Sequence, residues 1–155
     1  MASIELAAWQ GGFSRENNQV SLQKDRYIDL RGRLATCGLE SDVDISTQEE
    51  VDELRRRYEG IPEDYTDFLR EVGHGSLAED TVMLFSAPTS DVTLFGSDIN
   101  LIENHLLAFG HDLIGVVAAF APLEEWKVVE ISPATKQRVA EFKSFEDFIQ
   151  SRLRI

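Results

Sequence analysis

The chain has 155 residues, 43% of them hydrophobic and 28% charged, which is enough for one folded domain with its own core. Its 28 acids and 15 bases leave a net charge of -13, so nucleic acid and anionic membrane are poor partners and a basic protein is a favourable one. The longest nearly apolar run, Ile114 to Leu123, falls well short of the ~20 residues a membrane-spanning helix needs.

The sequence from Met1 to Leu6 has no basic region leading into an apolar stretch, so no secretory signal is expected. Cys37 is the only cysteine, which rules out an internal disulfide and a zinc finger. A reducing cytoplasm fits both features.

In residues 1–30, Gly11-Gly12 and the polar run Ser14 to Gln19 read as loop or arm. Ile28 and Leu30 alternate with Asp29 and Arg31, which predicts a short strand between Asp25 and Leu34. Gly38 to Ser46 reads as an acidic connector. Residues 1–44 are accordingly taken as an extension of uncertain structure, with the main domain over 45–155.

Thr47-x-x-Glu50 is a capping-box pattern, in which side chains at a helix start satisfy orphan amide donors. It predicts a helix over residues 48–59, with Val51, Leu54 and Tyr58 on one stripe and Glu49, Glu50 and Glu53 opposite. Gly60 ends that helix. Ile61-Pro62-Glu63-Asp64 begins another, with proline and acids suited to its first turn. Its apolar stripe is Tyr65, Phe68, Leu69 and Val72. Its outer face carries Glu63, Asp64, Asp67 and Glu71, and Gly73 and Gly75 stop it.

Beyond Gly75 the pattern changes. Strands are predicted at Thr81 to Phe85 (ended by Ala87-Pro88), Leu113 to Ala121, Trp126 to Ile131 and Gln137 to Phe142. Val92 to Phe95 reads as a further short strand or loop. Asn100 to Phe109 reads as a short helix, since Ile102, Leu106 and Phe109 recur at helical spacing. Ser132 to Thr135 is a turn, and Ser144 caps a last helix bearing Phe145, Phe148 and Ile149. Helices followed by consecutive strands predict an α+β fold, a mostly antiparallel sheet with helices on one face.

Catalytic signals are sparse. Cys37 lacks a local nucleophile motif. His74, His105 and His111 match no metal-binding spacing, and no phosphate-binding glycine loop is present. Neither cofactor nor metal is expected. Carboxylates abound, so an enzyme working through two of them is a third reading, but so many acids make some pair nearly inevitable and a solvated helix face is the far stronger explanation.

The charge is concentrated. Residues 40–80 hold 14 acids and four bases, whereas residues 1–39 hold four acids and five bases. The acids singled out as a partner-binding face are Glu49, Glu50, Glu53, Glu63, Asp64, Asp67 and Glu71, with Glu79 and Asp80 beyond the helices.

Pro62, Tyr65, Phe68-Leu69, Gly73 and Gly75, in that order, together with the closing Ser144-Phe-Glu-Asp-Phe-Ile149, resemble the signature of the SUKH superfamily over about residues 45–155. The resemblance implies a SUKH-like α+β domain that binds proteins. Bacterial members are immunity proteins that neutralise polymorphic toxins, often nucleases, and fungal relatives regulate cell-wall synthesis through protein contacts. The expectation is therefore a non-enzymatic, cytoplasmic immunity-type protein that occludes a cognate basic toxin. The alternative is a regulatory or scaffolding module.

Overall fold

In the computed structural model of the chain, residues 26–91 and 99–154 are described. The expectations for Gly11-Gly12, Ser14 to Gln19 and Val92 to Phe95 concern residues outside these ranges. Among the described residues four α-helices, α1 (Ile28–Thr36), α2 (Gln48–Arg57), α3 (Glu63–Glu71) and α4 (Phe145–Arg152), accompany seven strands. These are β1 (Asp42–Asp44), β2 (His74–Leu77), β3 (Val82–Thr89), β4 (Leu107–His111), β5 (Val117–Ala121), β6 (Lys127–Ile131) and β7 (Arg138–Phe142). The strands form one sheet in chain order, every neighbouring pair antiparallel. The fold is α+β.

Strand alternation divides the sheet into two faces. Leu77, Leu84, Phe109, Ala118, Phe120 and Val128 face the four helices and join Leu30, Leu54, Phe68 and Phe148 in the main core. Ala108, Val117, Ala119, Val129 and Ile131 face the other way, where Ile99, Leu101 and Leu106 cover them. The helices thus occupy one face, as expected. Aromatic rings dominate the main core: Tyr65 meets Phe120 at 5.0 Å and Phe145 at 5.1 Å, both edge-on. Such pairs add about 0.5–1.5 kcal/mol each beyond area burial.

Local signals place the helix starts. Thr47 Oγ1 accepts from Glu50 N (3.2 Å) while Glu50 Oε1 accepts from Thr47 N (2.9 Å), so the capping box is complete. Pro62 precedes α3, and Ser144 Oγ accepts from Asp147 N (3.1 Å) at the start of α4.

Several expectations are corrected. Residues 28–36 form α1 rather than a strand, because Leu30 at helical spacing from Leu34 packs into the core and Tyr27 lies edge-on to Phe68 at 5.0 Å. The connector 38–46 contains β1. A boundary at residue 45 therefore cuts through a continuous sheet and core. Gly75 sits inside β2 rather than in a turn. Its φ of +123° and the close approach of the Asp42 carbonyl leave no place for a Cβ. Pro88 does not end β3, which runs to Thr89 through a register shift. Residues 101–105 are turns and 107–111 are β4, not a helix. Leu106 and Phe109 are buried on opposite faces of the sheet, so their helical spacing has no structural meaning. Leu113 and Ile114 precede β5 in an exposed turn.

Candidate partner-binding surface

The nine singled-out acids do not form one face. Asp67 is only 2% exposed and receives Arg26 Nε (3.0 Å) and Arg70 (2.5 Å). Glu71 is 7% exposed, and its Oε1 accepts from Tyr27 N (3.0 Å). Burial pushes the Glu71 carboxyl above its ordinary range, against the lowering effect of that hydrogen bond. Both residues were expected on the outer face of α3. They do lie opposite its apolar stripe, but the start of α1 is laid across them.

Asp64 is half-buried and also turned to internal work. Its Oδ1 accepts from Tyr65 N and its Oδ2 from Glu146 N, each at 2.9 Å, so it joins the first turns of α3 and α4. Glu53 is exposed but paired with Arg56 at 2.8 Å. Glu63 is exposed at the start of α3.

The remaining four belong to a different surface. Asp42 and Asp44 are exposed on β1, the first edge of the sheet, opposite Ser76 and His74 of β2. Ser76 donates to Asp80 (2.5 Å) from the same face. Glu79 N donates to the Glu40 carbonyl (2.6 Å), and Ala78 N donates to Ser41 Oγ (2.8 Å), tying the β2–β3 turn to the chain entering β1. Ala78, Glu79 and Asp80 all have positive φ, and the last two are exposed. At the other end of β1 stand Glu49 and Glu50. The Glu50 carboxyl is held below its usual range, chiefly by hydrogen bonding from the Thr47 backbone, with a small contribution from His74 nearby.

Glu79, Glu40, Asp80, Asp42, Asp44, Glu50 and Glu49 thus line the edge from the β2–β3 turn to the start of α2. Among the described residues none of these seven forms an ion pair. Glu40, Asp42 and Asp44 lie in the stretch expected to be an acidic connector and are not among the acids singled out from the sequence. Their signal was Asp42-Val43-Asp44, an alternation with its apolar residue on the core side.

The opposite edge is built differently. On β7, Arg138 holds Glu124 through two hydrogen bonds (3.0 and 2.6 Å), and Lys127 bridges Glu124 and Glu141. The Arg138 and Lys127 hydrogen bonds pull the Glu124 carboxyl down to about 2. One edge is neutralised by its own cations, and the other is left anionic.

Other chemistry is thin. Cys37 Sγ lies 3.4 Å from the Leu34 carbonyl at the end of α1. Among the described residues no group of three or more His, Cys, Asp or Glu is placed to hold a metal, and no helix is long and apolar enough to cross a membrane. No protein-family model matches the chain, and neither a curated protein nor a solved structure matches it.

Proposed function

We propose that the protein is an immunity-type binding module that occludes a basic, nuclease-like toxin domain, gripping it along the β1 edge. The carrying observation is the strip of seven exposed carboxylates, without an ion pair among the described residues, set against the neutralised edge at β7. The SUKH-like motifs favour the same reading. A nuclease needs cationic surface to hold its phosphates. A matching anionic strip attracts that surface, raising association rates toward about 10⁸–10⁹ M⁻¹s⁻¹ at low salt, and covers it.

The test is co-expression with the product of the adjacent gene. The expected result is a toxic neighbour whose killing stops when this protein is present. A harmless neighbour, or one that kills equally in either case, removes the toxin reading. Neutralising Glu40, Asp42, Asp44, Glu79 and Asp80 to their amides should slow association and flatten its salt dependence. A partner that binds the strip without being toxic would instead identify a regulatory or scaffolding module.

A further inference from the structure

On the helix side of β1, directly behind the acidic strip, lies an apolar groove of about 680 Å³. α1, the chain entering β1 and the end of α3 enclose it. Leu34, Leu39, Val43, Ile45, Val72 and Leu77 supply most of its wall. Ile45 is 62% exposed and Leu39 38%, so apolar surface is left facing water. Glu40 belongs both to the groove and to the strip.

Glu71 and Arg31 also line the groove, and Glu71 Oε2 is buried with no hydrogen-bond partner among the described residues.

We propose that this groove receives an apolar anchor side chain from the cationic partner. The inference rests on the strip being the partner's landing surface. Exposed charges steer and orient an encounter but add little affinity. Tight binding comes from a few large side chains that are desolvated in a pocket beside such a rim. Here the pocket and the rim share one strand, with Val43 pointing into the groove and Asp42 and Asp44 pointing to the strip. A second copy of the chain is a poor occupant, because it would bring its own seven carboxylates against these. The partner segment is therefore one large apolar residue flanked by lysines or arginines.

The experiment is amide NMR on the ¹⁵N-labelled full chain, titrated with a lysine peptide carrying one central phenylalanine and with the same peptide carrying serine there. The phenylalanine peptide should shift Leu39, Val43 and Val72 saturably and bind about tenfold more tightly at equal ionic strength. Ala35→Trp, which fills the groove from an exposed position on α1, should abolish that preference and leave the serine peptide's affinity unchanged. Leu39→Ser gives a second route, and a thermal melt shows that each variant is folded. Equal affinities for the two peptides, or a preference that survives both variants, overturns the anchor site. If Asp42→Asn/Asp44→Asn weakens both peptides while they bind equally, the strip stands and the groove fails. If that variant changes nothing while the preference persists, the groove stands and the strip fails. No saturable shift from either peptide overturns both.

Discussion

Asp64 offers the clearest test of which acids serve the fold. Its two carboxylate oxygens accept backbone N–H groups from Tyr65 and Glu146, residues in the first turns of two different helices. A hydrogen bond to a charged acceptor contributes about 1.5–3 kcal/mol, and the half-buried position favours the lower end. Asp64→Ala should therefore cost about 3 kcal/mol. In a chain of 155 residues that corresponds to a Tm lowered by about 10 °C. Asp64→Asn keeps one acceptor and should lose about half as much. Glu63→Ala, one residue earlier and exposed, should stay within about 0.5 kcal/mol. Urea unfolding with an unchanged m-value is the assay. A loss below about 1 kcal/mol for Asp64→Ala, or one no larger than that of Glu63→Ala, refutes the clamp and returns Asp64 to the surface acids.

Tyr65→Phe should stabilise by about 1 kcal/mol in the same assay, because the Tyr65 hydroxyl is fully buried without a hydrogen-bond partner among the described residues; a loss of stability would show that the hydroxyl is satisfied. Gly75→Ala should cost about 2 kcal/mol or more and loosen β1, read as faster amide exchange at Val43, since it combines a positive φ with a clash against the Asp42 carbonyl. Gly32→Ala should gain about 0.5–1 kcal/mol, because Gly32 lies within α1 with open space around it. Glu71 makes stability pH-dependent. Its folded pKa is raised, so the folded state holds the proton more tightly and stability falls as pH climbs from the ordinary value of 4.5 through the raised one. Glu71→Gln keeps an acceptor for Tyr27 N and should flatten that descent, with its gain fully present above the raised pKa; an unchanged slope counts against it. A carboxyl titration by NMR should find Glu124 near 2, moving back toward 4.5 in Arg138→Gln.

Features that depend on adjacent residues were readable from the chain alone. The Thr47–Glu50 box, Pro62 before α3 and Ser144 before α4 each satisfy their own amides locally, so their patterns are unambiguous. The core stripe of α3 was also readable, since Tyr65, Phe68 and Leu69 need only helical geometry. The fate of its other side was not. Asp67 and Glu71 are buried by Arg26 and Tyr27, 41 and 44 residues away in sequence, and nothing in α3 announces that a second element crosses its polar face. β1 has three residues, too few for alternation to stand out. In 100–109 an accidental helical spacing outweighed the real determinant, a loop that folds its apolar side chains over the far side of the sheet. The acidic concentration in residues 40–80 was evident, but its distribution into inward clamps and an outward edge depends on tertiary contacts.

An open sheet edge is ordinarily an invitation for another copy to add itself strand to strand. At β1 the row of carboxylates makes that encounter repulsive, so the charges proposed to draw in a cationic partner also hold identical molecules apart. Salt weakens such repulsion over a Debye length of about 10 Å at 0.1 M. On the proposed reading, recognition and self-avoidance are coupled through one strand: changes that blunt the proposed grip would also remove the guard against pairing with itself.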